Sequence, residues 1–202
     1  MVNRWHFSIT FLKLSSLLTY CLLFNYHDTM NLQKFLTVFI FAVFAITLAY
    51  GRFGVSWQGL FGVFFLGISG RLVYWDFRFY RLPDFWTQLL LWVGLLINWH
   101  GEFTSLPSAV MGAVVGYCSF WGIRWVFHAF THKEGLGLGD CKLLAALGAW
   151  LGWQALPLLV LIASLLGLLF SLFWLYGRGK PWQHPVPFGP MLLLAGVWMV
   201  FF

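Results

Sequence analysis

LPLLVLIASLLGLLFSLFWLYG, residues 156–177, carries no charge and exceeds the roughly 20 apolar residues that an α-helix needs to cross a bilayer. In hydrocarbon such a run satisfies its own backbone N–H and C=O groups as a helix and offers only apolar side chains to lipid. The rest of the chain repeats the pattern. Of 202 residues, 61% are apolar, 21% aromatic and 9% charged, against about 25% charged in soluble domains. The composition predicts an all-α, polytopic integral membrane protein with up to eight transmembrane helices. The apolar segments run roughly 7–25, 35–50, 53–75, 85–99, 105–129, 141–153, 156–177 and 187–202. Gly and Pro mark the breaks, at GRFG 51–54, LPD 82–84, the glycine run 135–139 and PVPFGP 185–190. No soluble domain or long linker interrupts them.

The net charge of +6 does not form a nucleic-acid face, because the twelve Lys and Arg residues lie singly between apolar runs. They read instead as a topology signal. Lys34, Arg78, Arg81, Lys133, Lys142, Arg178 and Lys180 fall at alternate connections, with Arg4 and Arg52 opposite. The positive-inside rule makes the side holding 26–34, 76–84, 130–142 and 178–187 cytoplasmic, with both termini outward. Lys13 and the Ser15-Ser16 pair weaken the first segment as a span, and Met30 is an alternative start. No secretory cleavage site is expected at the N-terminus. Arg71 and Arg124, within or near apolar segments, are expected to snorkel toward headgroups.

The six acids are Asp28, Asp76, Asp84, Glu102, Glu134 and Asp140, and five lie on the inferred cytoplasmic side. An isolated carboxylate at the hydrocarbon boundary is costly and reads as functional by default. Asp76 ends the third segment in LVYWDFRFYRLPD; Asp140 opens the sixth in HKEGLGLGDCKLLAALGAW, behind alternating glycines. If those two helix ends pack together, the carboxylates share a proton and titrate as one unit. One can then take a proton from a water attacking a peptide carbonyl while the other donates to the oxygen or the leaving amine. Glycines 135, 137 and 139 permit close backbone approach. Each acid also has a plainer reading: Asp140 as a helix N-cap, and Asp76 as a partner for Arg78 or Arg81.

These residues resemble a known family. EGLGLGDCKLLAALGAWLGW is similar to the GxGD region of bacterial type IV prepilin peptidases, membrane aspartic proteases that process prepilins and type II secretion pseudopilins. DFRFYRLPDFWTQLLLWVGLLIN is similar to that family's other motif, an Asp followed eight positions on by the Asp of LPD, and PFGP 187–190 to a third signature. The resemblance covers residues 53–202 in order. It implies that Asp76 and Asp140 are the catalytic pair, with Gly137 and Gly139 the glycines of GxGD. Asp84 takes the LPD position, in a supporting or helix-capping role. Glu134 and Lys142 also fall at family-like positions, but charges beside a loop are commonly just solvated. The implied fold is a six-helix core like that of presenilin-like GxGD proteases, residues 53–202, preceded by N-terminal membrane segments in 1–52.

The resemblance further implies an endopeptidase of the bacterial inner membrane that cuts a short basic leader from prepilin or pseudopilin precursors. Its site faces the cytoplasm, its substrate and lipid are its partners, and no cofactor or metal takes part. One departure stands out. Family members carry a cytoplasmic insertion with two zinc-binding CxxC pairs between the first two spans, associated in bifunctional members with N-methylation by S-adenosylmethionine. Here that region is NYHDTMNLQK, and Cys21, Cys118 and Cys141 form no CxxC. Tyr26-His27-Asp28 faintly resembles the string that ends the insertion in that family. Methyltransferase activity is therefore in doubt, and an inactive homologue serving membrane assembly is the alternative. A transporter is disfavoured, since there is no inverted repeat and the acids cluster at one face. His128 and His132 lack a third ligand for zinc, Cys141 reads as a small buried residue, and Trp75 and Trp86 flank the first aspartate motif as candidate groove residues.

Overall fold

The computed structural model describes residues 47, 51–52, 56–131, 136–178 and 188–202. Among these the regular structure is helical: α1 (Trp57–Phe79), α2 (Asp84–Ile97), α3 (Leu106–Thr131), α4 (Leu138–Leu151), a 3-10 turn at Trp153–Ala155, α5 (Leu156–Arg178) and α6 (Gly189–Phe201). These six match the third to eighth apolar segments. The first two segments, and Tyr26-His27-Asp28, lie outside the described residues apart from Thr47. Trp57–Phe79, Leu106–Thr131 and Trp153–Leu172 are long and apolar enough to cross a membrane; α2 and α6 are shorter apolar helices. The protein is an all-α, polytopic membrane protein.

Two compact units divide the chain, Met1–Arg71 with Phe201, and Leu72–Val200 with Phe202. In the first, α1 starts at a serine cap: the Gly59 N–H donates to Ser56 Oγ at 3.3 Å, satisfying one orphan donor of the first turn. Arg71 does not snorkel; it is buried, at 9% exposure.

In the second unit, α1 ends where Tyr80 turns left-handed at φ 51, its N–H still donating to the Asp76 carbonyl at 2.9 Å. Pro83, extended at φ −67 and ψ 127, then precedes α2. α3 and α4 meet backbone to backbone. A Cβ on Gly112 would strike the Gly148 carbonyl, one on Gly148 would strike that of Gly112, and one on Gly116 would lie 2.8 Å from the Leu144 carbonyl oxygen. Small residues allow that approach where lipid tails, as apolar as leucine, supply no hydrophobic drive between helices. α2 docks on α4 through Gly94, which faces the Trp150 indole, and through Trp150 Nε1–H, which donates to the Leu90 carbonyl at 2.8 Å.

Asn98, the C-cap of α2, is fully buried and ties three segments together. Its Nδ2 donates to the carbonyls of Ala149 (2.8 Å) and Trp150 (3.2 Å), and its Oδ1 accepts from the N–H groups of Phe103 (3.1 Å) and Thr104 (3.0 Å). Asn98→Ala strands several buried polar groups at once, each worth about 1–3 kcal/mol when left unsatisfied. A loss of roughly 3 kcal/mol or more is expected, read as a lower unfolding midpoint in detergent; an unchanged midpoint would contradict this role.

Candidate active site

All the site residues described here belong to the second unit. Asp76 lies in the last turn of α1, one turn before Tyr80 ends the helix, and is only 6% exposed. Beside it is the start of α6: the Gly189 backbone N–H faces the carboxylate. A Cβ on Gly189 would stand 2.6 Å from Asp76 Oδ2. That oxygen is buried and has no hydrogen-bond partner among the described residues. Arg78 and Arg81, the sequence-based partners for Asp76, are exposed.

Asp140 is not the N-cap of its helix. That position belongs to Gly137, extended at φ −70 and ψ 140, and α4 begins at Leu138, three residues earlier than its apolar run. Asp140 is therefore the third helical residue, with its own N–H donating to the Gly137 carbonyl at 3.2 Å. Its carboxylate accepts from the Gly137 N–H, the reverse arm of a capping box, at the positive end of the helix dipole. A Cβ on Gly137 would lie 3.3 Å from Asp140 Oδ2, closer than a side chain ordinarily sits.

α4 is too short to span a bilayer, and Asp140 sits in its first turn, ahead of the apolar run. Its carboxyl is pushed up to about 7, first by burial and next by the charge of Asp76, with the Gly137 N–H pulling the other way. The two acids are thus close enough for the charge of one to act on the other. Leu82 stands between the two glycine segments. A Cβ on Gly139 would meet Leu82 Cβ at 3.0 Å, and one on Gly189 would meet Leu82 Cδ1 at 3.3 Å.

Asp84 does not cap α2. The N-cap is Pro83 and no side chain closes that end. Asp84 is largely exposed and forms an ion pair with Lys142 at 2.6 Å, linking the starts of α2 and α4. An exposed pair of this kind contributes about 0–1 kcal/mol. Cys141 is buried, as expected, and its Sγ lies 3.6 Å from the Gly137 carbonyl oxygen. Burial and then Asp140 push its thiol above the usual range, so it is a poor nucleophile, while Arg124 acts in the opposite sense. Trp75 and Trp86 are half-buried, Trp75 against Phe79 at 4.6 Å between ring centres and Trp86 edge-on to Phe85 at 5.4 Å. His128 is exposed; His132, Lys133, Glu134 and Gly135 lie outside the described residues. Among the described residues no three His, Cys, Asp or Glu side chains cluster to hold a metal.

Sequence reading missed Gly189 and Leu82. Gly189 entered only as part of PFGP, with no role assigned, and nothing in the string pointed the start of α6, with Pro190 in its first turn, at Asp76. With two neighbouring carboxylates, one of them pushed toward neutrality, the site can hold a single proton between an acid and a base.

The chain resembles curated proteins over this region. A protein named prepilin leader peptidase/N-methyltransferase from Pectobacterium carotovorum is 54% identical over 122 residues, 60% of this chain and 44% of that one. Proteins of the same name from Aeromonas hydrophila and Pseudomonas aeruginosa are 44% and 46% identical, covering 82% and 72% of this chain and 55% and 50% of theirs. The chain spans about half the length of these relatives. No solved structure matches it. The profile of the type IV leader peptidase family aligns with residues 63–172, which contain both Asp76 and Asp140 and make up more than half of the chain. The chain belongs to the type IV leader peptidase family.

Proposed function

We propose that the chain is a membrane aspartic endopeptidase that removes the short basic leader of type IV prepilin or type II secretion pseudopilin precursors. In this reading residues 53–202 are the catalytic domain, preceded by membrane segments in 1–52, and the site faces the cytoplasm across the bacterial inner membrane. Asp76 and Asp140 are the catalytic pair; Gly137, Gly139 and Asp84 support them. The observation that carries the proposal is the pairing of Asp140 with the charge of Asp76, two acids 64 positions apart in sequence. Names of the relatives, and basic loops on one side of the chain, support the substrate class and orientation.

The pair works with one proton. The ionised carboxylate takes a proton from a water molecule as the water oxygen bonds to the scissile carbonyl carbon, and the protonated carboxyl gives its proton to the carbonyl oxygen. Collapse of the tetrahedral intermediate breaks the C–N bond, and the leaving amine takes up the proton first removed from water. Asp84, with Lys142, holds the starts of α2 and α4 together. The close fit of Gly139 and Gly189 around Leu82 keeps side chains out of the space between these segments.

Co-expression with a prepilin, followed by mass spectrometry of the product, tests the proposal. The expected mass is that of a precursor shortened by its leader, and the same spectrum reads whether the new N-terminus carries a methyl group. An uncut precursor, under conditions where a full-length relative cleaves it, would count against the activity. The pH profile supplies a second check. With the Asp140 carboxyl at about 7, the pair loses its shared proton as pH rises through that value. kcat/KM should therefore fall through about pH 7 and above, and fall again in acid as the second carboxylate is protonated. A profile that stays flat above neutrality would be inconsistent with a shared proton.

A further inference from the structure

Arg124 is not explained by snorkelling. It sits on α3, two turns before that helix ends, and is half-buried beside Trp121, Trp125 and His128, which line a cavity of about 150 Å3 with it. Its guanidinium Nη1 donates to the carbonyl of Leu136. Leu136 is the residue just before Gly137, so this carbonyl and the Gly137 N–H are the two ends of one peptide unit. The same peptide is thus engaged on both sides, by Arg124 at its oxygen and by the Asp140 carboxylate at its N–H.

We propose that Arg124 is a positioning residue, holding the Leu136–Gly137 peptide so that its N–H stays aimed at the Asp140 carboxylate. A peptide plane pinned at its oxygen cannot rotate freely about the chain. Charge drawn toward that oxygen also makes the N–H at the other end a better donor, as in any chain of hydrogen bonds. Arg124 acts through the backbone and does not touch the reacting carboxylate. The Arg fork suits this task, being permanently charged and planar.

Among the described residues the titratable groups around Asp140 are few. α1 brings Asp76, α2 brings Asp84 paired with Lys142, α3 brings Arg124 and His128, and α4 itself carries Cys141 and Lys142. The described side chains of α5 and α6 carry none. Of these, Asp76 raises the proton affinity of Asp140, and the Gly137 N–H lowers it. Loss of the Arg124 hold should therefore raise that affinity further.

The test is pH-difference infrared spectroscopy of the full chain in lipid nanodiscs, with the Asp140 carboxyl band assigned by its disappearance in Asp140→Asn. In Arg124→Met the protonation midpoint of Asp140 should rise, by about tenfold in proton affinity or one pH unit. Arg124→Gln, a shorter neutral side chain that can still donate to a carbonyl, should raise it by less. An unmoved midpoint in Arg124→Met overturns the proposal. Equal rises in both variants also overturn it, because they would assign the effect to bare charge. Should Arg124→Met fail to accumulate folded, Arg124→Lys decides alone, because it keeps the charge and loses the planar fork: a raised midpoint supports the proposal and a wild-type midpoint overturns it.

In a leader-cleavage assay, the alkaline limb of the rate profile should move up with the midpoint. That arm rests on the peptidase reading; the infrared arm does not. A midpoint shift in a protein that cuts no prepilin would sink the peptidase reading and leave this one standing. Normal cleavage with an unmoved midpoint would do the reverse.

Discussion

Asp76→Asn and Asp140→Asn should each lower leader cleavage by about a thousandfold or more, the scale on which a positioned acid–base group contributes. Asn has nearly the shape of Asp but can neither take a proton from water nor lend one to a leaving group. In the proposed mechanism the two carboxylates hold one proton between them and act as a unit, so the double variant should be little worse than either single one. Asn at either position also removes the repulsion between the acids, so both variants should accumulate in the membrane at least as well as the wild type. Cleavage of a co-expressed prepilin, followed by gel shift and mass, measures the effect. Two active single variants would sink the proposed pair, and one active variant would show that a single carboxylate suffices.

The glycines around the pair give the second large effect, in a graded order. An added Cβ meets Asp76 Oδ2 at 2.6 Å from Gly189, Leu82 Cβ at 3.0 Å from Gly139, and Asp140 Oδ2 at 3.3 Å from Gly137. The atoms met differ in kind. At Gly189 the obstacle is a carboxylate tip, which can swing away at modest cost to folding but takes a proposed catalytic group with it. Gly189→Ala is expected to reduce cleavage by about a hundredfold while shifting the unfolding midpoint little, since a displacement near 1 Å at a reacting group costs about that much. Gly139→Ala presses on the root of a side chain, which cannot swing, so stability and activity should fall together. Gly137→Ala is the mildest, displacing the Asp140 carboxylate by a few tenths of an ångström. A Gly189→Ala enzyme with wild-type kcat/KM would show that the start of α6 has no bearing on Asp76.

Much of this was legible in the string because hydropathy and helix breakers carry it. The six described helices fall within a few residues of their apolar segments, since Gly and Pro interrupt a membrane helix wherever it leaves lipid. The two aspartates stood out because charge is scarce in such a chain. What hydropathy does not carry is which helix ends meet. Gly189 is one glycine in a terminal PFGP until α6 is set against Asp76, and Leu82 is one more leucine until two glycine segments close on it. Asp140 looked like a cap because an acid ahead of an apolar run commonly is one. The helix instead starts three residues sooner, since Leu138 and Gly139 can be helical and Gly137 takes the extended cap position. Arg124 looked like a snorkelling cation because its partner is a backbone carbonyl, which has no sequence signature.

The Asn98 hub has a consequence for which substitutions this chain can accept. Its four partners are all main-chain atoms, on residues 103, 104, 149 and 150. The hub therefore recognises where the chain runs and is indifferent to the side chains that run there. Exchange at Phe103 or Thr104 leaves those bonds formable, whereas position 98 demands a side chain with both a donor and an acceptor at the right reach. Exchange of side chains at 103 and 104 thus leaves the hub's four bonds in place, while Asn98 and Gly101, which is left-handed at φ 74, fix the path of the turn between α2 and α3.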